Sequence, residues 1–214
     1  CGVKMKKLAK LRQKYKIIPN ISREDLYSES KSLGLNMKKA EIRKIVTAER
    51  SQLSEQACAE REAAILSFLR PLLKEGSIVA SFKAIPHRKE INLDSLEGSF
   101  AFPRVTSEVA GTMEMVYSDQ FANSRWGIPE PVGGRVVEPA EFDVVLIPLL
   151  AFDEKGHRVG YGKGFYDRYL AACRPDCLKI GISFFESLSP IDDVEAHDIA
   201  LDMAICPTQV YDFR

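Results

Sequence analysis

The sequence predicts an α/β protein in which a mostly parallel sheet is covered by helices on both faces, a three-layer α/β/α sandwich. Short apolar runs that suit buried strands alternate with segments of helical periodicity, as they do around parallel sheets. Residues 142–170 show this pattern most clearly, with an apolar run, a glycine-rich loop and a helical repeat. At 214 residues and 45% apolar content, the chain can bury one complete hydrophobic core.

The beginning of the chain is basic. Residues 1–50 contain 14 Lys and Arg against 5 Asp and Glu, so this segment carries +9 while the whole chain is neutral. We interpret residues 1–36 as a basic N-terminal extension, with a short helix after Ser22, and residues 37–214 as a single α/β domain. The extension is a solvated tail, a nucleic-acid arm or a membrane contact. We expect the tail, because no aromatic platform or basic motif accompanies the cations.

Two helices are predicted next. The first begins at the candidate cap Asn36, and one of its faces is apolar, formed by Ile42, Ile45, Val46 and Leu53. Lys39 and Arg43 share another face, which is either an ordinary solvated surface or a pair of binding cations. The second helix begins at Ser54, a favourable N-cap residue, and ends at Gly76.

The middle of the chain carries short strands and two loops of interest. The strands are predicted at residues 77–83, 99–105 and 113–117. In the first loop, Glu90 follows three potential cations, His87, Arg88 and Lys89. Glu90 is therefore either a ligand-binding carboxylate or a surface partner of these cations. The second loop, residues 125–134, contains the single tryptophan, Trp126, which is either a hydrophobic plug or a stacking surface for a flat ring.

The stretch from residue 142 to residue 170 carries the strongest signal for a site. The run Phe142–Ile147, closed by Pro148, predicts a strand buried on both faces. The loop that follows contains the sequence GYGKG, residues 160–164, whose alternate glycines allow a backbone to approach a phosphate closely. Lys163 adds a mobile cation. The spacing matches neither GxxxxGK[ST] nor GxGxxG, so the alternatives are an anion-binding loop and a plain glycine-rich connection.

The last part of the chain adds two strands and a polar loop. The strands are predicted at residues 178–185 and 201–206, and the loop between them brings His197 and Asp198 close to Asp202 in sequence. No apolar run approaches the roughly 20 residues of a membrane-spanning helix, and no signal-peptide pattern is present. The five cysteines form no CxxC pair. We expect a cytoplasmic protein with reduced thiols.

Taken together, these segments resemble the 5-formyltetrahydrofolate cyclo-ligase family, also called 5,10-methenyltetrahydrofolate synthetases. The most specific part is PLLAFDEKGHRVGYGKGFYDRYL, residues 148–170, which is similar to the family pattern PGLAFDxxGxRLGxGxGYYDxxL. Weaker agreement comes, in the same order along the chain, from KKAEIR, the Glu–Ile pair at 90 and 91, FPRV, MEM, WGIPEP and HDIALD. The resemblance covers residues 37–207 and implies a mostly parallel, Rossmann-like sheet.

The resemblance implies an ATP- and Mg²⁺-dependent ring closure. 5-Formyltetrahydrofolate and ATP would give 5,10-methenyltetrahydrofolate, ADP and phosphate through a phosphorylated formyl group, an iminium phosphate. Such a reaction requires positioning and charge stabilisation rather than a covalent protein nucleophile. The partners would be these small molecules, without nucleic acid or membrane, and the protein would be a monomer or, alternatively, a dimer. The competing hypotheses are a non-catalytic reduced-folate or nucleotide-binding protein and, from fold analogy alone, a sugar-phosphate isomerase or CoA transferase.

The resemblance also assigns site residues by position. The residues expected to bind ATP are Lys39, Arg43, Arg158, Gly160, Gly162, Lys163, Gly164, Tyr166 and Asp167. Those expected to hold the folate are Ile85, Glu90, Met113, Trp126, Tyr161 and Tyr166. The expected catalytic residues are Lys163, Arg158 and Glu90, and the expected Mg²⁺ ligands are Asp167 and Asp198.

The chain departs from the family pattern in places. The segment from Glu90 to Pro103 is shorter than in the family, so a crossover helix is expected to be replaced by a brief loop and the pocket wall to differ. Leu149 replaces a glycine, and Phe165 replaces a tyrosine, which removes one hydroxyl from the expected substrate site. Arg104 could contact either the nucleotide or the folate tail.

Overall fold

The computed structural model describes residues 37–124, 127–188 and 190–214. Its helices are α1 (Lys39–Gln52), α2 (Glu55–Leu69) and α3 (Phe165–Leu170). Its strands are β1 (Val79–Ala80), β2 (Phe100–Ser107), β3 (Thr112–Tyr117), β4 (Phe121–Asn123), β5 (Pro129–Pro131), β6 (Arg135–Val137), β7 (Val144–Pro148), β8 (Ala151–Phe152), β9 (Arg158–Val159), β10 (Leu178–Ile182), β11 (Met203–Ile205) and β12 (Val210–Asp212). Residues 1–36, with the predicted extension, the helix after Ser22 and the cap at Asn36, lie outside the described residues.

A large central sheet organises the described residues. Eight strands pair in the order β12-β11-β10-β7-β1-β2-β3-β6. The five adjacent strands from β11 to β2 are parallel to one another, whereas β3, β6 and β12 are antiparallel to their neighbours. Because parallel neighbours must be joined by crossovers, the helices and longer loops lie on the two faces. The mostly parallel α/β fold predicted from the sequence is confirmed.

Strand β7 is buried on both faces, as its uninterrupted apolar run predicts. Leu146 belongs to the core on the side of α1 and α2, where it joins Ile42 and Ile65. Val145 belongs to the opposite core, which also contains Tyr169 of α3. Since neighbouring side chains on a strand point to opposite faces, a strand between two cores has no polar side.

Helix α2 shows which of the cap predictions holds. Ser54 caps the helix, and its Oγ accepts a hydrogen bond of 3.1 Å from the backbone N–H of Ala57. The predicted end at Gly76 is wrong, because the α-helix stops at Leu69 and continues only as a 3₁₀ turn, Arg70–Leu72. The turn contains Pro71, which has no N–H to continue the α-helical hydrogen bonds.

Several strand boundaries also differ from the prediction. Strand β2 passes through Pro103 and Arg104 to Ser107, whereas the sequence placed Arg104 at the strand end. Strand β1 pairs only with Phe100 and Ala101, so Pro103 lies beyond the stretch of β2 that β1 covers. The predicted loop of residues 125–134 contains β5, which pairs with β4. The short edge strands β6 and β12 carry weak sequence signals and were not predicted.

The glycine-rich loop does not follow β7 directly. The antiparallel hairpin β8–β9 lies between them, and residues 160–164 connect β9 to α3. The hairpin closes with a hydrogen bond of 2.9 Å from the N–H of Asp153 to the carbonyl of His157. None of the described helices combines the length and the apolar character that a bilayer crossing requires.

Replacing the cap of α2 is expected to lower the stability of the fold. Ser54→Ala removes the side-chain acceptor of Ala57 N–H and should reduce the free energy of unfolding by about 1 kcal/mol. Urea denaturation followed by circular dichroism measures this value. Ser67→Ala is the control, because this exposed serine of the same helix bonds only to the carbonyl of Ala64. Equal losses in the two variants would contradict the assigned cap.

Candidate functional site

The loop that connects β9 to α3 contacts two other parts of the chain that the sequence marked as functional. Arg43 of α1 donates a hydrogen bond of 2.7 Å from Nε to the carbonyl of Gly160. Tyr161, the next residue, donates a hydrogen bond from its hydroxyl to Glu90, which lies in the segment after β1. Residues that are far apart in the chain therefore meet around residues 160–164.

Gly162 is required by the position of Arg43. Its φ is +83°, a left-handed conformation that residues with a side chain rarely adopt. A Cβ atom at this position would lie 3.0 Å from Arg43 Cζ and 3.1 Å from one of its terminal nitrogens. The missing side chain therefore allows the guanidinium to lie against the loop backbone.

The second half of the loop presents a cation. Lys163 is exposed, and its backbone carbonyl accepts a hydrogen bond of 3.0 Å from Arg168. Gly164 has a φ of +70° and precedes α3 as its N-cap. Helix α3 has only six residues, so its dipole is smaller than the sequence pattern suggested. Lys163 and the loop amides are therefore the main groups that could hold an anion here.

Arg158 and Asp167 form a shielded ion pair at one side of the loop. The Arg158 side chain is only 7% exposed and donates a hydrogen bond of 2.5 Å to Asp167 Oδ1. It also donates to the carbonyl of Ile199, whose own N–H lies 3.3 Å from the same Asp167 oxygen. Burial lowers the pKa of Arg158, while the charges of Asp167 and Asp198 oppose this shift.

Asp198 is paired with Lys39 of α1. Lys39 Nζ donates to Asp198 Oδ2, and the N–H of Glu195 donates to the same oxygen at 2.6 Å. Burial alone would raise the pKa of Asp198, but the hydrogen bonds from Glu195 and Lys39 outweigh it and hold the pKa below the ordinary value. The backbone N–H of Lys39 is bound by Asp193 at 2.7 Å. Each end of Lys39 is thus fixed by a carboxylate.

Glu90 is a buried carboxylate rather than a surface partner of the cations before it. It is 8% exposed, and its Oε2 accepts a hydrogen bond of 3.0 Å from the N–H of Ile85. Its Oε1 accepts a hydrogen bond from the hydroxyl of Tyr161, and Arg50 donates a hydrogen bond of 2.6 Å to the same hydroxyl. Burial, followed by the charge of Glu90, raises the pKa of Tyr161 to about 12. Arg88 lies over the Tyr161 ring at 4.5 Å.

Tyr166 lies close to both groups of charges. Its hydroxyl is buried and has no hydrogen-bond partner within the described ranges. Burial raises the pKa of this hydroxyl most, Glu90 raises it further, and Arg158 lowers it. A buried hydroxyl without a partner is uncommon in folded proteins and is a natural contact for a ligand.

The remaining predicted site residues have the following surroundings. Met113 of β3 lines a cavity of about 280 Å³ with α3 residues. Arg104 is held on the surface of the β2–β3 pair by Glu114, at 2.8 Å from Nε, and by the carbonyl of Gly133. Trp126 lies outside the described residues, so its expected contact with the folate stays a prediction.

The segment after Glu90 was expected to contain a brief loop in place of a crossover helix. Residues 91–99 contain no helix. A cavity of about 540 Å³ lies beside this segment, and its lining includes Leu93, Leu96 and Phe102. The expected replacement of a crossover helix by a loop matches what these residues show.

Arg50 is the site residue that sequence reasoning missed. It follows Ile42 and Val46 at helical spacing, and all three are buried on the same face of α1. A charged residue in an apolar stripe is the signal that could have identified it, because an isolated buried charge is costly and requires a partner.

Comparison with known proteins agrees with the geometry. The sequence model of the 5-formyltetrahydrofolate cyclo-ligase family matches residues 35–207. A 5-formyltetrahydrofolate cyclo-ligase of Mycoplasma genitalium is 29% identical over 178 residues, which cover 78% of this chain and 97% of that protein. The NMR structure of Aquifex aeolicus 5,10-methenyltetrahydrofolate synthetase superposes with a TM-score of 0.71 and 29% identity, over 82% of this chain and 93% of that one. A Mycoplasma pneumoniae 5,10-methenyltetrahydrofolate synthetase shares the fold at a TM-score of 0.64 and 22% identity, over 80% of this chain and 99% of that one.

Acid unfolding is expected to report the ionised state of Asp198. Its folded-state pKa is lowered, so ionised Asp198 stabilises the fold above its unfolded pKa, and this stabilisation is lost as pH falls through the folded pKa. Asp198→Asn should therefore flatten the pH dependence of the free energy of unfolding below about pH 4. Urea denaturation at a series of pH values measures this pH dependence of the free energy of unfolding. Asp119→Asn, at an exposed position, is the control, and identical slopes in both variants would refute the prediction.

Proposed function

Because the chain belongs to the 5-formyltetrahydrofolate cyclo-ligase family, which it matches from residue 35 to residue 207, we propose that it converts 5-formyltetrahydrofolate to 5,10-methenyltetrahydrofolate with consumption of ATP. ATP leaves as ADP and phosphate. The substrates are small molecules, and we expect the protein to act as a monomer. The observation that carries this proposal is the contact of residues 160–164 with Arg43 and Arg50 of α1 and with the buried carboxylate Glu90.

The nucleotide would lie along the loop between β9 and α3. Gly160 leaves the backbone open, Gly162 makes room for the Arg43 guanidinium, and exposed Lys163 would contact the phosphates. Arg43 holds the loop through Gly160 and would add positive charge beside the phosphates. A transferred phosphoryl group spreads negative charge over its oxygens, so fixed cations and amides stabilise its transition state.

The pterin of the folate would lie against Glu90, Tyr161 and Tyr166. Glu90 is an acceptor held in place by two hydrogen bonds, which suits a flat ring rich in N–H donors. The buried hydroxyl of Tyr166 would gain a partner when the ligand is bound. In this proposal Tyr166 lies between the two substrates, because it directly follows the loop at the start of α3 and its hydroxyl is buried.

The chemistry requires proximity more than reactive side chains. The formyl oxygen attacks the γ-phosphorus of ATP, the bond from this phosphorus to the bridging oxygen breaks, and ADP leaves. N10 then attacks the formyl carbon, the carbon–oxygen bond breaks, and phosphate leaves with that oxygen while N10 loses its proton. In this scheme Lys163 and Arg158 stabilise negative charge, and Glu90 orients the ring.

Asp167 and Asp198 are the carboxylates that would hold Mg²⁺, as the family resemblance implies. Asp167 uses Oδ1 for its hydrogen bonds and Asp198 uses Oδ2. In the part of the chain that the structure describes, the other oxygen of each has no hydrogen-bond partner. Hard carboxylate oxygens, completed by phosphate oxygens and water, are suitable ligands for this ion. Mg²⁺ would neutralise phosphate charge when bound.

The activity assay is direct. Purified protein with 5-formyltetrahydrofolate, ATP and Mg²⁺ is expected to produce the near-ultraviolet absorbance of the methenyl product together with stoichiometric ADP. Omission of ATP is the control. Folate binding measured by calorimetry, with neither absorbance nor ADP from folded protein, would refute the enzyme and favour the folate-binding alternative.

Lys163→Ala is expected to separate activity from stability. The side chain is exposed, so its removal should change the free energy of unfolding by less than about 0.5 kcal/mol. Loss of a cation beside the transferring phosphoryl group should lower kcat about 100-fold or more. Lys155→Ala, at an exposed position in the adjacent β8–β9 turn, is the matched control and should retain full activity. Equal activity in the two variants would remove Lys163 from the phosphate site.

A further inference from the structure

Arg50 is a buried cation with an unusual partner. The residue is 5% exposed, and the guanidinium donates a hydrogen bond of 2.6 Å to the hydroxyl of Tyr161. Its Nε is buried and has no hydrogen-bond partner among the described residues. A buried guanidinium that only stabilises the fold is expected to bond directly to a carboxylate. Arg50 instead bonds to the neutral phenol of Tyr161, which in turn bonds to Glu90.

The hydrogen-bond chemistry of Arg50 fixes the direction of the chain of contacts. Arginine has five N–H donors and no acceptor, so the Tyr161 oxygen must accept from it. A phenol carries a single proton, which is then available only for the other neighbour, Glu90. Glu90 Oε1 must therefore act as the acceptor. The order of donation is Arg50 to Tyr161 to Glu90.

This order determines what Glu90 can recognise. Its other oxygen, Oε2, accepts a hydrogen bond from the N–H of Ile85, so both oxygens accept hydrogen bonds from the protein. A carboxylate held in this way has only lone pairs left to offer a ligand. Glu90 then accepts N–H donors and rejects an edge that presents acceptors.

We propose that Arg50 is a positioning residue for the folate, which acts through the Tyr161 hydroxyl to hold Glu90 as an ionised acceptor for the N–H donors of the pterin edge. The inference rests on the proposed function, because it takes the ligand of Glu90 from it. The inference assigns a role to Arg50, which would touch neither substrate. It also explains why the charge of Arg50 is buried.

The charges on the two sides of Tyr161 support this role. Arg50 and Glu90 are both buried and carry opposite charges, so the chain of three residues is neutral as a unit. Removal of Arg50 would leave the Tyr161 hydroxyl free to rotate away from Glu90. Arg88, which lies over the Tyr161 ring, is exposed and cannot provide the same hydrogen bond while stacked there.

The first experiment compares Arg50→Met with wild type in steady-state kinetics and calorimetry. We expect KM and Kd for 5-formyltetrahydrofolate to rise about tenfold or more, as for loss of a hydrogen bond that involves a charge. KM for ATP should stay within about twofold of wild type, and kcat within about threefold, because Arg50 contacts neither the nucleotide nor the reacting atoms.

Arg61→Met is the matched control. Arg61 of α2 also donates to a neighbouring group, the carbonyl of Phe184 at 2.7 Å, and its guanidinium lies over Phe185 at 5.5 Å. It has no part in the chain from Arg50 to Glu90. The control loses a similar side chain, so a general loss of packing would affect both variants, whereas loss of positioning would raise KM for the folate only in Arg50→Met.

A double-mutant cycle tests whether Arg50 acts through Tyr161. In the Tyr161→Phe background the link is already absent, so adding Arg50→Met should change folate affinity by less than about twofold. If the effects of Arg50→Met and Tyr161→Phe on folate affinity are independent and multiply in the double variant, the proposal is overturned. If Arg50→Met does not fold, Arg50→Gln is used in the same cycle; its amide N–H can still donate to Tyr161, so a smaller rise in KM for the folate is expected, and this rise should also disappear in the Tyr161→Phe background.

The outcomes separate this inference from the proposed function. If wild type forms the methenyl product and Arg50→Met keeps the wild-type KM for the folate, only the role of Arg50 is overturned. If folded wild type neither binds 5-formyltetrahydrofolate nor consumes ATP with it, the proposed function is overturned and the inference falls with it. A selective rise in folate KM that disappears in the Tyr161→Phe background supports both.

Discussion

The contact between helix α1 and the glycine-rich loop is the constraint on which the candidate site depends. The helix is fixed to the sheet by buried Ile42 and Val46, and from that position Arg43 reaches the carbonyl of Gly160. About two turns further along the helix, Arg50 reaches the hydroxyl of Tyr161. Since a helix is rigid over this length, packing of its apolar face sets where both cations meet the loop. The core and the site are thus parts of one arrangement.

The same arrangement keeps the charges of the site in defined positions before a ligand arrives. Arg158 is paired with Asp167, and Lys39 with Asp198, in surroundings that exclude most solvent. Groups held in this way need little reorganisation when charge develops on a transferring phosphoryl group. The cost is that buried charges must remain paired, because a single unpaired one destabilises the fold. This explains why several ion pairs surround a loop whose own lysine is exposed.

Local patterns in the sequence were sufficient where a single residue determines the structure. Ser54 caps α2 as predicted, and the apolar run of β7 is buried on both faces. Features that depend on distant neighbours were harder to predict. Gly76 is a residue type that often follows the end of a helix, but the α-helix stops earlier, before Pro71. The position of Arg50 was not recognised because its partner, Tyr161, lies more than a hundred residues further along the chain.

The structure shows what Lys89, one of the basic residues before Glu90, contacts. The chain turns back at Lys89, whose φ of +47° is the left-handed conformation, and its Nζ donates to the carbonyls of Ser51 and Leu53 at the end of α1. Such carbonyls have no partner within a helix and favour a cation. The turn brings Glu90 back to the N–H of Ile85. The shorter connection after β1 is therefore anchored to α1, the same helix that positions the loop and Tyr161, so the carboxylate and the phenol are placed by a common support.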